Sequence, residues 1–122
     1  MGVTPIHIVI VDDNPYYRET VRNIIEKQQN LKVVGEAGDG VYALQAIEKH
    51  RPDIVLMDIT LPYLDGIEAT RKIMAKFPNI KVIMLTMHAN PAFSDHALQA
   101  GACQYLAKDC SKQELLQAIK DC

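Results

Sequence analysis

The sequence predicts an α/β domain in which a parallel five-stranded sheet, with strand order 2-1-3-4-5, carries helices on both faces. Two observations support this doubly wound (βα)5 architecture. Five short apolar runs alternate with five helical segments along 122 residues, and strict alternation is typical of parallel sheets with helical crossovers. Acidic or polar residues follow several of the apolar runs, where the strands of such a sheet end at a common edge.

The first βα unit begins with residues 6–11, a β-branched and nearly continuous apolar run. Such a run is typical of a strand buried on both faces of a parallel sheet. Asn14 and Pro15 then provide an N-cap and a proline at the first helical position. Apolar residues recur on one helical face as far as about Gln28, which predicts an amphipathic helix.

The same pattern occurs four more times along the chain. Further strands are predicted at 31–34, 53–57, 80–85 and 105–107, and further helices at 41–50, at 67–77, from Pro91 and from Ser111. Asn90 and Pro91 repeat the cap-and-proline start. Ser111 and Glu114 have the spacing of a capping box, and Asp65 and Gly66 suit the start of the third helix.

The strand order follows from composition. The first, third and fourth runs are the most continuously apolar, whereas the second contains Lys32, Gly35 and Glu36 and the fifth is short and mixed. The second and fifth strands are therefore expected at the edges of the sheet. The order 2-1-3-4-5 satisfies this condition, and it places a ligand site beyond the carboxyl ends of the first and third strands.

Composition limits the class of protein. The formal charge of -2 and the absence of a basic run argue against nucleic-acid binding by this segment, so any DNA contact would need another domain. Three cysteines without CxxC spacing predict free thiols in a reducing compartment. No apolar stretch approaches the roughly 20 residues of a membrane span. We therefore expect a soluble cytoplasmic protein.

Five residues at strand ends predict phosphoryl-transfer chemistry: Asp12, Asp13, Asp58, Thr86 and Lys108. Three carboxylates at one sheet edge repel one another unless a cation neutralises them. Mg²⁺, which prefers oxygen ligands, is the expected ion, with Mn²⁺ as an alternative. Asp58 is the candidate nucleophile, because a carboxylate can form an aspartyl phosphate. Lys108 and Thr86 would then stabilise the oxygens of the transferred group.

These residues stand within short motifs that resemble the receiver domain of bacterial two-component response regulators, which has a flavodoxin-like fold. The resemblance covers nearly the whole chain and is carried by residues 11–14 (Val-Asp-Asp-Asn), 56–59 (Leu-Met-Asp-Ile), 61–66 (Leu-Pro-Tyr-Leu-Asp-Gly), 85–86 (Leu-Thr) and 105–108 (Tyr-Leu-Ala-Lys). It implies that Asp58 is the phosphoacceptor and that Asp13 binds the magnesium ion directly. It further implies that Asp12 acts mainly through metal-bound water and that the Thr60 carbonyl is another ligand.

The resemblance also assigns a second group of residues to switching and tuning. Thr86 and Lys108 would detect the phosphoryl group. Tyr105 matches the aromatic switch position of the family, where the ring turns inward as the threonine hydroxyl moves toward the phosphoryl group. This is a population shift between two packings of one fold. Met87 and His88 would tune the lifetime of the phosphorylated state.

A finer resemblance is to response regulators of the NarL/FixJ type, through residues 85–88, 100–102 and 108–116. It implies that residues 1–122 are a receiver domain whose output domain, a helix-turn-helix DNA-binding domain, is not present in this chain. A stand-alone receiver is the alternative. The implied partners are a sensor histidine kinase, small acyl phosphates as donors and a second copy of the chain after phosphorylation, with no membrane partner.

The same residues also bear on three alternative functions. A phosphatase of the haloacid dehalogenase type needs an aspartate two residues after the nucleophile, where this chain has Thr60. A flavin-binding protein needs a phosphate loop after the first strand, where Asp12 and Asp13 would repel the phosphate. A pseudo-receiver that serves as an interaction module remains an alternative. The expected function is a conformational switch that assists its own phosphorylation and dephosphorylation, and not a turnover enzyme.

Overall fold

The computed structural model describes residues 4–61, 64–87 and 91–122, apart from the side chain of Phe93. Five strands alternate with five helices. Their bounds are β1 Ile6–Val11, α1 Pro15–Glu26, β2 Leu31–Ala37, α2 Gly40–His50, β3 Ile54–Asp58, α3 Gly66–Lys76, β4 Lys81–Thr86, α4 Pro91–Gln99, β5 Gln104–Ala107 and α5 Lys112–Asp121. None of the helices in this described part is long and apolar enough to cross a membrane.

The five strands form one parallel sheet in the order β2-β1-β3-β4-β5. This confirms the predicted order and the predicted edges, β2 and β5. The central strands are the most apolar, because helices cover both of their faces. Every residue of β3, for example, is buried. The pairing of β1 with β2 shifts register between Ile8 and Val9, where β2 contains one extra residue. β2 ends at Ala37, three residues beyond its predicted end.

Alternate residues of the central strands supply two separate cores. Val9, Val55 and Met57 pack with buried residues of α2, α3 and α4 on one face of the sheet. Ile8 and Leu56 pack with residues of α1 and α5 on the other face. The period-two alternation of a strand sends neighbouring side chains to opposite faces. The doubly wound arrangement is thereby confirmed.

Side-chain caps start the helices where the sequence predicts them. Asn14 accepts hydrogen bonds from the backbone N–H groups of the first turn of α1. Asp65 accepts from the Glu68 N–H at 2.9 Å, and the Ser111 hydroxyl accepts from the Glu114 N–H at 3.0 Å. These caps satisfy donors that have no partner inside a helix. Asn90, the predicted cap of α4, lies outside the described residues.

The expectation that all three cysteines are free thiols is wrong for two of them. Cys103, just before β5, is joined to Cys122 by a disulfide, and their Cα atoms are 6.2 Å apart. Cys110 is the free cysteine. The prediction failed because α5 runs back along the sheet and returns Cys122 to the start of β5. Sequence spacing does not report this proximity, which lies within the usual Cα range of a disulfide.

Candidate functional site

The predicted site residues gather at the carboxyl edge of the sheet. Asp12 and Asp13 directly follow β1, Asp58 is the last residue of β3, Thr86 is the last residue of β4, and Lys108 directly follows β5. One carboxylate oxygen from each of the three aspartates lies within 4.8 Å of the other two. Parallel strands whose ends share one edge thus bring together residues that are up to 96 positions apart in the chain.

The backbone and side chain of Asp12 are both held in place. Its N–H donates to the Ala37 carbonyl of β2 at 3.0 Å. Its Oδ1 atom accepts a hydrogen bond from the Asn14 N–H at 2.9 Å, and its carbonyl oxygen accepts one from the Arg18 guanidinium at 2.5 Å. Asp12 is only 1% exposed. The Asp12 carboxylate is therefore a fixed, buried charge, whereas Asp13 is exposed.

Asp58 is fixed by the loop that follows it. Its Oδ1 atom accepts a hydrogen bond from the Thr60 N–H at 3.1 Å. The Gly66 N–H donates to the Ile59 carbonyl at 2.8 Å, which docks the start of α3 against the end of β3. A Cβ atom at Gly66 would lie 2.1 Å from the Asp58 carbonyl oxygen. A glycine is therefore required here, because the first turn of α3 packs directly on the backbone of Asp58.

Lys108 reaches this edge from the end of β5. Its N–H donates to the Thr86 carbonyl at 2.7 Å, which extends the pairing of β4 and β5 by one residue. Its ammonium nitrogen lies 2.5 Å from Asp12 Oδ2 and 3.3 Å from Asp58 Oδ2. No cis peptide bond occurs within the described residues, so the bond between Lys108 and Asp109 is trans, consistent with the absence of a proline there.

The site carries more negative than positive charge. Burial, followed by the charge of Asp12, raises the pKa of Asp58 from 3.8 to about 6, although Lys108 and the Thr60 N–H act in the opposite direction. Burial also acts to lower the pKa of Lys108, but its contacts with Asp12 and Asp58 outweigh burial and raise that pKa above its ordinary value. One ammonium therefore does not fully neutralise the buried carboxylates.

The donor set fits a hard divalent cation. Asp12 Oδ2 is buried and accepts no hydrogen bond within the described part of the chain, and its charged neighbour is the Lys108 ammonium at 2.5 Å. Carboxylate oxygens at such separations suit Mg²⁺, which takes oxygen ligands and retains several waters. An open cavity of about 370 Å³ adjoins the aspartates, and its lining residues are Asp13, Asn14, Asp58, Thr60, Met87 and Lys108.

Of the predicted switch and tuning residues, Met87 lines this cavity, whereas Thr86 and Tyr105 belong to β4 and β5. Thr86 is buried, at 7% exposure, and pairs in register with Ala107. Tyr105 is half-buried and packs against the core on the α2, α3 and α4 face. Met87 is 71% exposed at the mouth of the cavity. His88 lies outside the described residues, so its role stays a prediction.

Two residues of α1 make contacts with the site that sequence reasoning did not predict. Arg18 bonds to the Asp12 carbonyl and also pairs with Glu36 of β2 at 3.3 Å. The ring of Tyr17 lies 4.8 Å from the Lys108 ammonium. A signal for Tyr17 exists in the sequence, because Tyr17, Val21 and Ile25 recur at intervals of four and form the inward stripe of α1.

Comparisons with known proteins agree with this geometry. A family model described as response regulator receiver domain matches residues 8–120. The transcriptional regulatory protein DegU of Brevibacillus brevis is 38% identical over 115 residues, which are 94% of this chain and 49% of DegU. The response regulator UvrY of Escherichia coli K12 is 40% identical over 115 residues, which are 94% of this chain and 53% of UvrY.

A solved structure shows the same fold. The signal receiver domain of NarL from Mycobacterium tuberculosis superposes with a TM-score of 0.93 at 34% identity, covering 98% of this chain and 96% of that domain. The chain spans about half the length of the curated relatives it matches. The family match over residues 8–120, with the sheet order and the aspartate cluster, shows that this chain belongs to the response regulator receiver domain family, with homologues of the NarL type.

Proposed function

We propose that Asp58 accepts a phosphoryl group from a phosphohistidine of a sensor histidine kinase, or from a small acyl phosphate. The convergence of three carboxylates within 4.8 Å at an open cavity carries this proposal. An ammonium 3.3 Å from the acceptor supports it further. A structural ion pair alone would not need a third carboxylate or an opening beside the acceptor.

The chemistry follows from the charges of the site. An ionised Asp58 oxygen attacks the phosphorus atom as the bond from phosphorus to the donor breaks, and the bonding electron pair leaves with the donor nitrogen or oxygen. The transferred group carries charge on three equatorial oxygens. Lys108 keeps its proton and stabilises one of them, and the Thr86 hydroxyl takes part in binding another. Both residues then detect the aspartyl phosphate as a new negative charge.

A divalent cation is part of this proposal. Asp12, Asp13, Asp58 and the Thr60 carbonyl are the groups that would hold Mg²⁺, with Mn²⁺ as an alternative. When bound, the ion supplies positive charge for the phosphoryl oxygens and favours the ionised form of Asp58. Asp12 contributes through its fixed, buried position beside Asp58, and Asp13 adds an exposed carboxylate at the same edge.

The output of the domain is conformational. We propose that Thr86 and Tyr105 transmit phosphorylation to the surface formed by α4, β5 and α5, which changes dimerisation or the release of an attached domain. The protein acts as a switch that also assists hydrolysis of its own aspartyl phosphate, and not as a turnover enzyme. Met87, at the mouth of the cavity, and His88 would tune the rate of that hydrolysis by limiting access of water.

The longer protein is proposed to be a cytoplasmic transcriptional regulator. Residues 1–122 form its receiver domain, and a helix-turn-helix output domain would make the DNA contacts. The half-length match to DegU and UvrY supports this arrangement, and so does the absence of a basic run from the receiver. A stand-alone receiver, which would signal by binding other proteins, is the alternative.

Intact mass spectrometry after incubation with a small acyl phosphate, with and without Mg²⁺, tests the proposal. One phosphoryl increment is expected in the presence of Mg²⁺, and none in Asp58→Asn. Asp53→Asn is the matched control, because it makes the same substitution near the opposite end of β3, where the amide oxygen can still accept from the His7 N–H. An unmodified wild type that is folded and supplied with Mg²⁺ would favour a pseudo-receiver that binds partners without phosphorylation.

A further inference from the structure

The aromatic ring of Tyr17 contacts the Lys108 ammonium. Tyr17 lies in the first turn of α1, where the Asn14 side chain accepts a hydrogen bond from its N–H at 3.3 Å. Its ring centroid is 4.8 Å from the Lys108 ammonium nitrogen. That distance lies within the range over which an aromatic ring attracts a cation.

The ring has little freedom to move away from Lys108. Tyr17 is half-buried and packs against the core that α1 and α5 share with the sheet. Burial is the main reason that its pKa is raised above the ordinary value, so its hydroxyl stays protonated and its ring stays neutral. Tyr16, the preceding residue, is 79% exposed. Only the second of the two neighbouring tyrosines is therefore directed toward the site.

The ammonium of Lys108 is thus held from two sides. Asp12 and Asp58 attract it at the edge of the sheet, and the ring of Tyr17 confines it on the side of α1. A lysine side chain has four rotatable carbon-carbon bonds and would otherwise sample many positions. The contacts with both sides keep its charge beside Asp58 before a phosphoryl group arrives, which lowers the cost of orienting it during the reaction.

We propose that Tyr17 is a positioning residue for Lys108, and that the face of its ring, not its hydroxyl, holds the ammonium beside Asp58. The inference rests on the proposed phosphoacceptor function of Asp58. It differs from a purely structural role, because an apolar side chain that fills the same space without a ring would preserve the core and lose the contact with the cation.

The experiment compares Tyr17→Phe with Tyr17→Leu. Two readouts are needed: the ring-current shift of the Lys108 ε-methylene protons in NMR spectra, and the initial rate of phosphorylation by an acyl phosphate at saturating Mg²⁺. Tyr42→Leu is the matched control, because Tyr42 occupies the first turn of α2 but is 64% exposed. Thermal unfolding verifies that each variant is folded, and Tyr17→Met replaces the leucine variant if that one is not.

We expect Tyr17→Phe to keep both the upfield ring-current shift and the rate of the wild type. Tyr17→Leu should lose the shift and phosphorylate about fivefold more slowly, the effect of one moderate cation–π contact. Tyr42→Leu should change neither quantity. A leucine variant that keeps the wild-type rate, or a phenylalanine variant as slow as the leucine one, would overturn the proposal.

The two readouts separate this inference from the function on which it rests. A wild type that accepts no phosphoryl group would refute the proposed function and the kinetic role of Tyr17 together. The ring-current comparison would still show whether the ring orders the ammonium. Conversely, normal phosphorylation with no ring-current shift in the wild type would refute the positioning role and leave the function of Asp58 intact.

Discussion

The ammonium nitrogen of Lys108 lies 3.3 Å from the Oδ2 atom of Asp58, although the strands that carry these residues are not neighbours. β4 lies between them, and two strand spacings correspond to about 10 Å. The long side chain of lysine is therefore needed to cross the end of β4. The Lys108 ammonium thereby links the end of β3 to the end of β5.

The first prediction concerns Lys108→Ala. This variant loses the proposed charge-assisted hydrogen bond from the Lys108 ammonium to a phosphoryl oxygen, and such a bond is worth about 1.5 to 3 kcal/mol. Phosphorylation of Asp58 should therefore be slower by roughly 10-fold to 100-fold. The rate is measured by intact mass with an acyl phosphate. Lys112→Ala removes an exposed charge from the start of α5 and should leave the rate unchanged. A normal rate in Lys108→Ala would mean that the ammonium does not assist transfer.

The second prediction is a pH dependence of stability in the metal-free protein. The pKa of Asp58 is about 6 in the folded state, whereas an unburied aspartate has a pKa of 3.8, the value taken for the unfolded state. The folded state therefore binds this proton more tightly than the unfolded state does. The resulting stabilisation is complete below pH 4 and is lost as pH rises through 6. It amounts to as much as about 3 kcal/mol.

Urea unfolding between pH 4.5 and 8 in the presence of EDTA measures this effect. Asp58→Asn should be more stable than the wild type at pH 8, and the difference between the two should shrink as pH falls. Taking the difference between the variants cancels the titration of the other carboxylates. An advantage of the asparagine variant that is the same at every pH would contradict the raised pKa.

The third prediction concerns addition and removal of Mg²⁺. Binding to the folded state alone should raise the free energy of unfolding by about 2.7 kcal/mol at a hundredfold excess over the dissociation constant. EDTA should reverse the gain. Calorimetric melting of the wild type and of Asp13→Asn measures this increase in stability. The increase should be much smaller in the variant, because it lacks the exposed carboxylate of the proposed ion site. Equal gains would place the ion elsewhere.

The fourth prediction separates phosphorylation from its output. Tyr105→Ala removes a half-buried ring from β5, several residues from the acceptor cavity. Phosphorylation should stay close to the wild-type rate, whereas phosphorylation-dependent dimerisation, measured by analytical ultracentrifugation, should weaken several-fold. Tyr42→Ala on α2 serves as a control for loss of an exposed tyrosine. Equal loss of both activities would contradict the switch role of Tyr105.

The fifth prediction concerns the disulfide. Cys103 and Cys122 are separated by 19 positions, and closing a loop of that size stabilises a folded protein by about 3 kcal/mol in the chain-entropy model. Dithiothreitol should therefore lower the free energy of unfolding of the wild type by a comparable amount. Cys122→Ser should be insensitive to the reductant, and Cys110→Ser should respond as the wild type does.

The fold was predictable because its signals are local. Apolar runs, the Asn14 and Ser111 caps and the spacing of βα units each report on a short segment, and the sheet order follows from which runs are wholly apolar. The aspartate cluster was predictable for the same reason, since strand ends of a parallel sheet share one edge. These inferences require no knowledge of side-chain conformation.

The relationships that were not predicted depend on how separate elements pack. The disulfide arises because the end of α5 lies beside the start of β5, and no spacing of cysteines reveals that. The contact of Tyr17 with Lys108 joins α1 to β5 across the carboxyl edge of the sheet. Helical periodicity shows that Tyr17 faces inward, but it does not show which strand end the ring meets.

Gly66 limits how this protein can diverge. A single added carbon at this position would collide with the main chain of Asp58, and a main chain cannot rotate aside as a side chain can. Selection that keeps the proposed acceptor, Asp58, in place would therefore act on a residue with no functional group. Among chains descended from this one, loss of Gly66 should accompany a rebuilt loop or an abandoned phosphorylation site, so its substitution would be a sequence marker of pseudo-receivers.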